Sequence, residues 1–252
     1  MYKDLEARLH DIFWNNEPDA DESHLLEKFL LKYPGKALEL GCGSGRLLLP
    51  LLQKGYNVEG VEISKDMLAL LQREAQKMRL CPQVYLADIS QHKTSTQYDA
   101  ITIPAFTLQL FSRDAALSTL IKLRGMACEG AGLYITVFIP WPEILDALEP
   151  DAWHPDKETT LSDGTIARCK TRHQIDRTSQ SLSRDQHYTI SDNSNTILEE
   201  QYVHQDLEWY LLPELILMLN QSRWKFDGYD ADFSLGNKDS DASLLTLYAS
   251  AV

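Results

Sequence analysis

The sequence is short of positive charge, short of cysteine and without a long apolar run, and each shortage removes a class of function. Twenty-four lysines and arginines face 37 aspartates and glutamates, a formal net charge of −13. An acidic body repels phosphate backbones and anionic lipid heads, so neither nucleic acid nor a membrane surface is expected as a partner. The cysteines, Cys42, Cys81, Cys128 and Cys169, lie far apart, with no Cys-x-x-Cys pair and no His/Cys cluster. No metal site is therefore expected, and free thiols suit a reducing cytoplasm. No segment approaches the roughly 20 apolar residues of a membrane-spanning helix. The charged start MYKDLEARLHDIFW lacks the apolar stretch of an export signal. Internal repeats and low-complexity tracts are absent as well.

What is present is an ordinary globular balance, 44% hydrophobic and 24% charged over 252 residues. That length suits one α/β domain, residues 1–252, carrying an insertion. Leu5, Leu9 and Phe13 recur every four residues and predict a helix over 3–14; Leu25, Leu26, Phe29 and Leu30 predict a second, ended by Pro34-Gly35. Strands at 36–40, 57–63, 83–88, 98–104 and 132–139 alternate with helices from the glycines to Lys54, at 65–78 and at 114–127. That alternation predicts a mostly parallel sheet with right-handed crossovers. From 157 to 207 the texture becomes polar and extended, with turn-like SDG, DRTSQ and SDNSN runs. Three segments there predict an antiparallel meander. A helix over 212–222 and two final strands return the chain to the main sheet.

The segment ALELGCGSGRLLLPLL, residues 37–52, carries the clearest chemistry. A short strand ends in Glu39, and Gly41, Gly43 and Gly45 follow at alternate positions. Glycines let backbone approach a ligand closely, and a helix start offers its N–H groups to an anion. A P-loop would need Gly-Lys-Ser/Thr, but Arg46 and Leu47 follow Gly45. A nicotinamide loop would need its third glycine at position 46, and Glu39 would repel a pyrophosphate. A ligand ending in an amino acid fits better: its ammonium can meet the acid and its carboxylate the helix start.

ELGCGSG matches without a gap the first motif, E/D-x-G-x-G-x-G, of the class I S-adenosylmethionine-dependent methyltransferases, and the chain resembles that family. The resemblance implies a Rossmann-like, mostly parallel seven-stranded sheet with helices on both faces. It implies S-adenosylmethionine as cofactor, with contacts from Glu39, Gly41, Cys42, Gly43, Gly45 and Arg46 in the first loop. Glu62, in GVEIS, would accept both ribose hydroxyls, and Asp88, in LADIS, would sit beside the adenine amino group, with Ile63, Met67 and Ile89 flanking the ring. Pro104 and Phe106 would lie in the fourth-strand loop under the cofactor. Taken singly, Glu62 reads equally as a solvated strand-end acid and Asp88 as a turn cap. Glu129-Gly130-Ala131 departs from the family's usual Pro-Gly-Gly turn.

Ile103-Pro104-Ala105-Phe106 lacks the Asn/Asp-Pro-Pro-aromatic signature of enzymes acting on nucleobase or amide nitrogens. The layout is instead similar to the small-molecule branch that includes glycine N-methyltransferases and aminosugar N,N-dimethyltransferases. That likeness implies transfer of a methyl group to an N or O atom of a small metabolite. A non-catalytic binder of S-adenosylmethionine or its demethylated product is the rival reading, and a nicotinamide oxidoreductase a more distant one. DIFW, residues 11–14, resembles the aromatic segment that closes over the cofactor, although it also reads as an ordinary helix face packed on the core. Phe13, Trp14, Gln109, Trp141 and Trp209 are the candidates for acceptor contact. His204 and Tyr210 are the candidates for proton transfer, because YVHQDLEWY leads back toward the sheet. The meander needs a cover for its apolar face. The core beside the acceptor pocket could supply it, or a second copy in a homodimer.

Overall fold

The computed structural model describes residues 2–16 and 21–252. Two helices, α1 (Asp4–Trp14) and α2 (Ser23–Lys32), precede β1 (Lys36–Leu40), α3 (Leu48–Gln53), β2 (Asn57–Glu62), α4 (Lys65–Met78) and β3 (Gln83–Leu86). Next come β4 (Tyr98–Ile103), a 3₁₀ turn (Thr107–Leu110), α5 (Arg113–Met126), β5 (Ala127–Phe138) and the single-turn α6 (Trp141–Ile144). The insertion contributes β6 (His154–Thr160), β7 (Ile166–Asp176), β8 (Ser181–Ser191) and β9 (Ile197–Glu208). The chain closes with α7 (Leu212–Gln221), β10 (Trp224–Ala231) and β11 (Leu244–Ala251).

The seven-stranded sheet has the order β10-β11-β5-β4-β1-β2-β3. Strands β1 to β5 pair in parallel, whereas β11 runs antiparallel to both β5 and β10. Strand β1 lies between β2 and β4, so the chain turns to opposite sides after these central strands. A crevice opens at their carboxyl ends, the place where open α/β sheets take ligands. One face of the sheet buries Leu38, Ile101, Leu133 and Leu120; the other buries Leu25, Phe29, Leu48 and Leu71. Helix α4 shows why the pattern folds locally. Met67, Leu68, Leu71 and Ala75 form its buried stripe, and the Ser64 hydroxyl caps it by accepting the Met67 N–H at 3.2 Å.

The insertion differs from the three-stranded expectation. It is a four-stranded antiparallel sheet, β6-β7-β8-β9, that begins at His154 and ends at Glu208. The missed strand, HPDKETT, is polar on both faces and starts with His-Pro, so it carries no alternation to read. The sheet's apolar face, with Ala167, Cys169, Tyr188 and Ile190, packs against Leu5, Leu9 and Phe13 of α1. The cover therefore comes from the same chain, and a second copy is not needed for it.

Two side chains rivet this sheet to the body. Gln109 is fully buried; its amide NH₂ donates to the carbonyls of Phe138 and Glu208, both at 3.0 Å, and its Oε1 accepts the Phe138 N–H at 2.7 Å. It joins the ends of β5 and β9. Arg113, at the start of α5, pairs with Glu208 and Glu214 and donates to the Ser179 and Trp209 carbonyls. Gln109→Ala strands one buried N–H and two carbonyls, so we expect it to lower stability by roughly 3 kcal/mol. This would appear as a shift of the urea midpoint with the slope unchanged. A loss under about 0.5 kcal/mol, the range of ordinary surface changes, would show the rivet to be dispensable.

Candidate functional site

The crevice contains a cavity of about 350 Å³. Its floor is the turn after β1, where Gly41, Gly43 and Gly45 all adopt positive φ (72°, 53° and 85°). A side chain at Gly41 would strike Thr107, and one at Gly45 would strike Leu49 and Leu71. These positions thus need glycine for conformation and for close packing. Helix α3 begins only at Leu48, so residues 41–47 are turn rather than helix.

Glu62 ends β2 and lines the cavity. Its Oε2 accepts the Gly43 N–H at 3.0 Å and its Oε1 the Ser64 N–H at 2.7 Å. Each oxygen keeps lone-pair capacity for a further donor, which suits a ligand diol. These bonds also tie the glycine turn to the start of α4. Asp88 lines the cavity beside Ile89, and its Oδ1 caps the following turn through the Ser90 N–H at 2.7 Å. Both of its sequence readings, turn cap and cavity wall, are therefore present in one residue.

Glu39 is buried and lines the same cavity, and its Oε2 has no partner among the described residues. Burial pushes its pKa up to about 8; the charges of Glu22 and Glu62 add to the rise and Arg46 opposes it. Glu22 is equally buried, takes the Ala105 N–H at 2.8 Å and the Tyr134 hydroxyl at 2.9 Å, and is likewise shifted upward, chiefly by burial. A carboxyl held neutral by burial ionises more readily when a cationic group lies beside it.

The roof is α1 together with β9. The Ser64 hydroxyl donates to the Tyr2 carbonyl at 2.6 Å and the Ser44 hydroxyl to Asp11 Oδ1 at 2.7 Å, so α1 is pinned to the body over the glycine turn. Tyr2 and His10 line the cavity from above, and His204, Gln205 and Asp206 line it from β9.

Of the residues singled out from sequence, Glu39, Gly41, Cys42, Gly43, Arg46, Glu62, Ile63, Met67, Asp88, Ile89 and Pro104 line this cavity. Others sit elsewhere. Gly45 lies beneath it, between Leu49 and Leu71. Phe106 packs among Trp14, Phe138 and Phe233. Phe13 is buried against Tyr188 in the α1–insertion core, and Trp14 lies with its ring 4.8 Å from the Arg46 guanidinium. Gln109 spends both ends of its amide on the rivet described above. Trp141 donates its indole N–H to Ala242 O at 2.9 Å, and Trp209 is buried with Leu182 and Leu207. The two candidates for proton transfer also change standing. Tyr210 is fully buried, with the Arg113 guanidinium over its ring and not in the cavity wall. His204 lines the cavity but spends Nδ1 on Asp185 at 2.7 Å and Nε2 on Asp206 at 3.2 Å. The Asp185 hydrogen bond and the Asp206 charge hold its pKa above the ordinary imidazole value, so its proton is already held in place and neither nitrogen offers a free lone pair. Tyr2, His10, Ser44, Thr107 and Gln205 were not found from sequence. The one available signal was the adjacent His10-Asp11 pair at the head of the aromatic segment.

Comparison with known proteins agrees with this geometry. Residues 37–126 match the family described as a methyltransferase domain. A protein of Geobacillus sp. (strain WCH70), provisionally named a methyltransferase, is 30% identical over 103 residues, covering 38% of this chain and 41% of that one. The chain thus matches about two-fifths of that relative's length. The crystal structure of an S-adenosylmethionine-dependent methyltransferase from Clostridium acetobutylicum ATCC 824 superposes with a TM-score of 0.81 at 14% identity, covering 97% of each chain. CalS10, an amino pentose methyltransferase from Micromonospora echinaspora solved with S-adenosylmethionine bound, gives a TM-score of 0.73 at 14% identity over the full length of both chains. Residues 37–126 thus resemble a methyltransferase domain, and the whole chain shares the fold of solved S-adenosylmethionine-dependent methyltransferases.

The raised pKa of Glu39 has a measurable sign. Between the ordinary value of 4.5 and about 8 the folded, ligand-free protein holds a proton that the unfolded chain has lost. Stability from this group is therefore full below pH 4.5, falls as pH rises, and levels off above pH 8. Glu39→Gln should remove that fall, so the variant should gain on the parent in thermal stability from pH 5 to pH 8. An unchanged difference across that range would show that Glu39 is ionised in the folded state.

Proposed function

We propose that this protein transfers a methyl group from S-adenosylmethionine to a nitrogen or oxygen of a small metabolite. The observation that carries the reading is the single cavity in which an open Glu39 oxygen, the glycine turn, the strand-end Glu62 and Asp88 converge. In this reading Glu62 takes the ribose diol, while Asp88, Ile63, Met67 and Ile89 surround the adenine. Glu39 meets the ammonium of the amino-acid tail, and Arg46, the only arginine among the described lining residues, faces its carboxylate. Once bound, the sulfonium supplies an already activated methyl group. The chain must hold the acceptor lone pair in line with it, keep water out and accept a proton where one is released. Helix α1 and β9 roof the cavity and thus serve the exclusion of water.

Several features point to the class of acceptor. Glu62, Asp88 and Asp206 outnumber Arg46 around the cavity, which favours a cationic amine over an anionic acceptor. The net charge of −13 argues against nucleic acid and anionic membranes. CalS10 is an amino pentose methyltransferase, and its likeness over the full length supports a small amine-bearing acceptor here. The four cysteines are all unpaired, which supports a reducing, cytoplasmic setting; among the described residues no helix is long and apolar enough to cross a membrane.

S-adenosylhomocysteine at 100 times its dissociation constant should stabilise the fold by about 2.7 kcal/mol, and NAD should not. Stabilisation by NAD alone would overturn the reading. Glu62→Gln should weaken S-adenosylhomocysteine at least tenfold, about 1.4 kcal/mol, in calorimetric titration, with the fold intact. Normal affinity would make Glu62 a bystander. Transfer of labelled methyl into pooled small amines and hydroxy compounds separates an enzyme from a protein that only binds the cofactor.

A further inference from the structure

We propose that His10, held by Asp11, takes the proton from a nitrogen acceptor in this cavity; the inference rests on the methyl-transfer reading above. His10 lies on α1 and lines the cavity with a mostly buried side chain, 15% exposed. Its Nδ1 is 2.7 Å from Asp11 Oδ1, and its Nε2 has no hydrogen-bond partner among the described residues. The ring is fixed on two sides, edge-on to Tyr2 with centroids 5.1 Å apart and beside Trp14 at 6.2 Å.

The hydrogen bonding decides which nitrogen carries the proton. Burial tends to raise the pKa of Asp11, but hydrogen bonds from His10 and Ser44 and the charges of His10 and Arg46 outweigh it, so the carboxyl stays ionised. An ionised carboxylate only accepts hydrogen bonds. Nδ1 must therefore be the donor, and in the neutral ring the lone pair is on Nε2. This is the logic by which a carboxylate orients a histidine base in hydrolases, reached on a different scaffold and for a different nucleophile.

Rival bases on the cavity wall are already committed. His204 gives both ring nitrogens to carboxylates. Burial, then the charge of Glu6, pushes the Tyr2 phenol up to about 12, so it stays protonated at neutral pH. In the methyl-transfer reading Glu39, Glu62 and Asp88 are engaged by the cofactor's ammonium, ribose and adenine. His10 is left as the lining group with an oriented, open lone pair.

The step balances without a further reagent. An amine reaching the cavity as an ammonium gives one proton to Nε2 and keeps the N–H electron pair. That pair forms the N–C bond to the methyl carbon of the sulfonium donor, the C–S bonding pair returns to sulfur as a neutral thioether, and the imidazolium releases its proton to solvent. Other charged and titratable groups lie beside the ring or line the same cavity: Asp11 on α1, Tyr2 before it, Glu39 on β1, Arg46 from the glycine turn, Glu62 from the end of β2, Asp88 beyond β3, and His204 and Asp206 from β9.

The test uses the full chain saturated with S-adenosylhomocysteine. In long-range ¹H–¹⁵N spectra of labelled protein near pH 7.5, with the His10 signals identified by their loss in His10→Asn, we expect Nδ1 protonated and Nε2 bare. Asp11→Asn should abolish that preference. A parent ring protonated on Nε2 would overturn the proposal. In methyl transfer to a pool of small primary and secondary amines, His10→Asn should lose at least about 100-fold at pH 7. Part of the rate should return as pH rises toward the amines' own pKa. Affinity for S-adenosylhomocysteine should stay within about threefold, well under the tenfold step of 1.4 kcal/mol. Unchanged turnover and pH profile would overturn the proposal, as would a parallel loss of S-adenosylhomocysteine affinity, which would make His10 a cofactor ligand. Failure of the parent to bind S-adenosylhomocysteine would instead remove the methyl-transfer reading itself.

Discussion

The reversal of strand order around β1 is the constraint on which the molecule turns. With β2 on one side and β4 on the other, the connections leaving β1 and β4 diverge, and the carboxyl ends of the central strands cannot be covered by their own crossovers. Every feature of the candidate site answers to that gap. The glycine turn bends across it, Glu62 reaches back from the end of β2 to hold the turn, and the Pro104-Ala105 loop closes it from β4. The acid at the end of β1 is left in the floor with a proton and an unused oxygen.

A crevice of this kind needs a roof from elsewhere in the chain, and the roof is built by mutual support. Helix α1 is apolar on one stripe, and the antiparallel sheet is apolar on one face; each covers the other through Leu5, Leu9, Phe13, Tyr188 and Ile190. Neither would be stable alone, since a short helix and a polar sheet both need a surface to pack on. The assembled roof is fastened at two ends. Ser44 and Ser64 hold α1, and Gln109 and Arg113 hold the end of β9. The floor and the roof of the cavity are thus joined by hydrogen bonds.

This arrangement explains why several aromatic and amide side chains that look like acceptor contacts do structural work. Gln109 and Trp209 sit where the insertion returns to the main sheet, Phe13 fills the core between α1 and the insertion, and Trp141 is fastened to Ala242 against the main core. Their chemistry is the same as that of a binding residue; only their location differs.

How much was legible in the sequence follows from how local the signal is. The alternation of strands and helices over 36–138, the positive-φ glycines, the strand-end acids Glu39 and Glu62 and the turn acid Asp88 are set by residues close along the chain. Spacing and residue type therefore determined the fold class and most of the cavity floor. Strand β6 was missed because it is polar on both faces, and α3 starts late because the glycine turn takes up the residues before Leu48. The roof was decided only by tertiary structure. That α1 would cover the inserted sheet, that Gln109 would be consumed between β5 and β9 and that His10 would face the cavity all depend on contacts between distant residues, up to 199 apart in the case of Glu6 and Gln205. A side chain's type states what it can bond; only the packing of remote segments settles which of those bonds are already made.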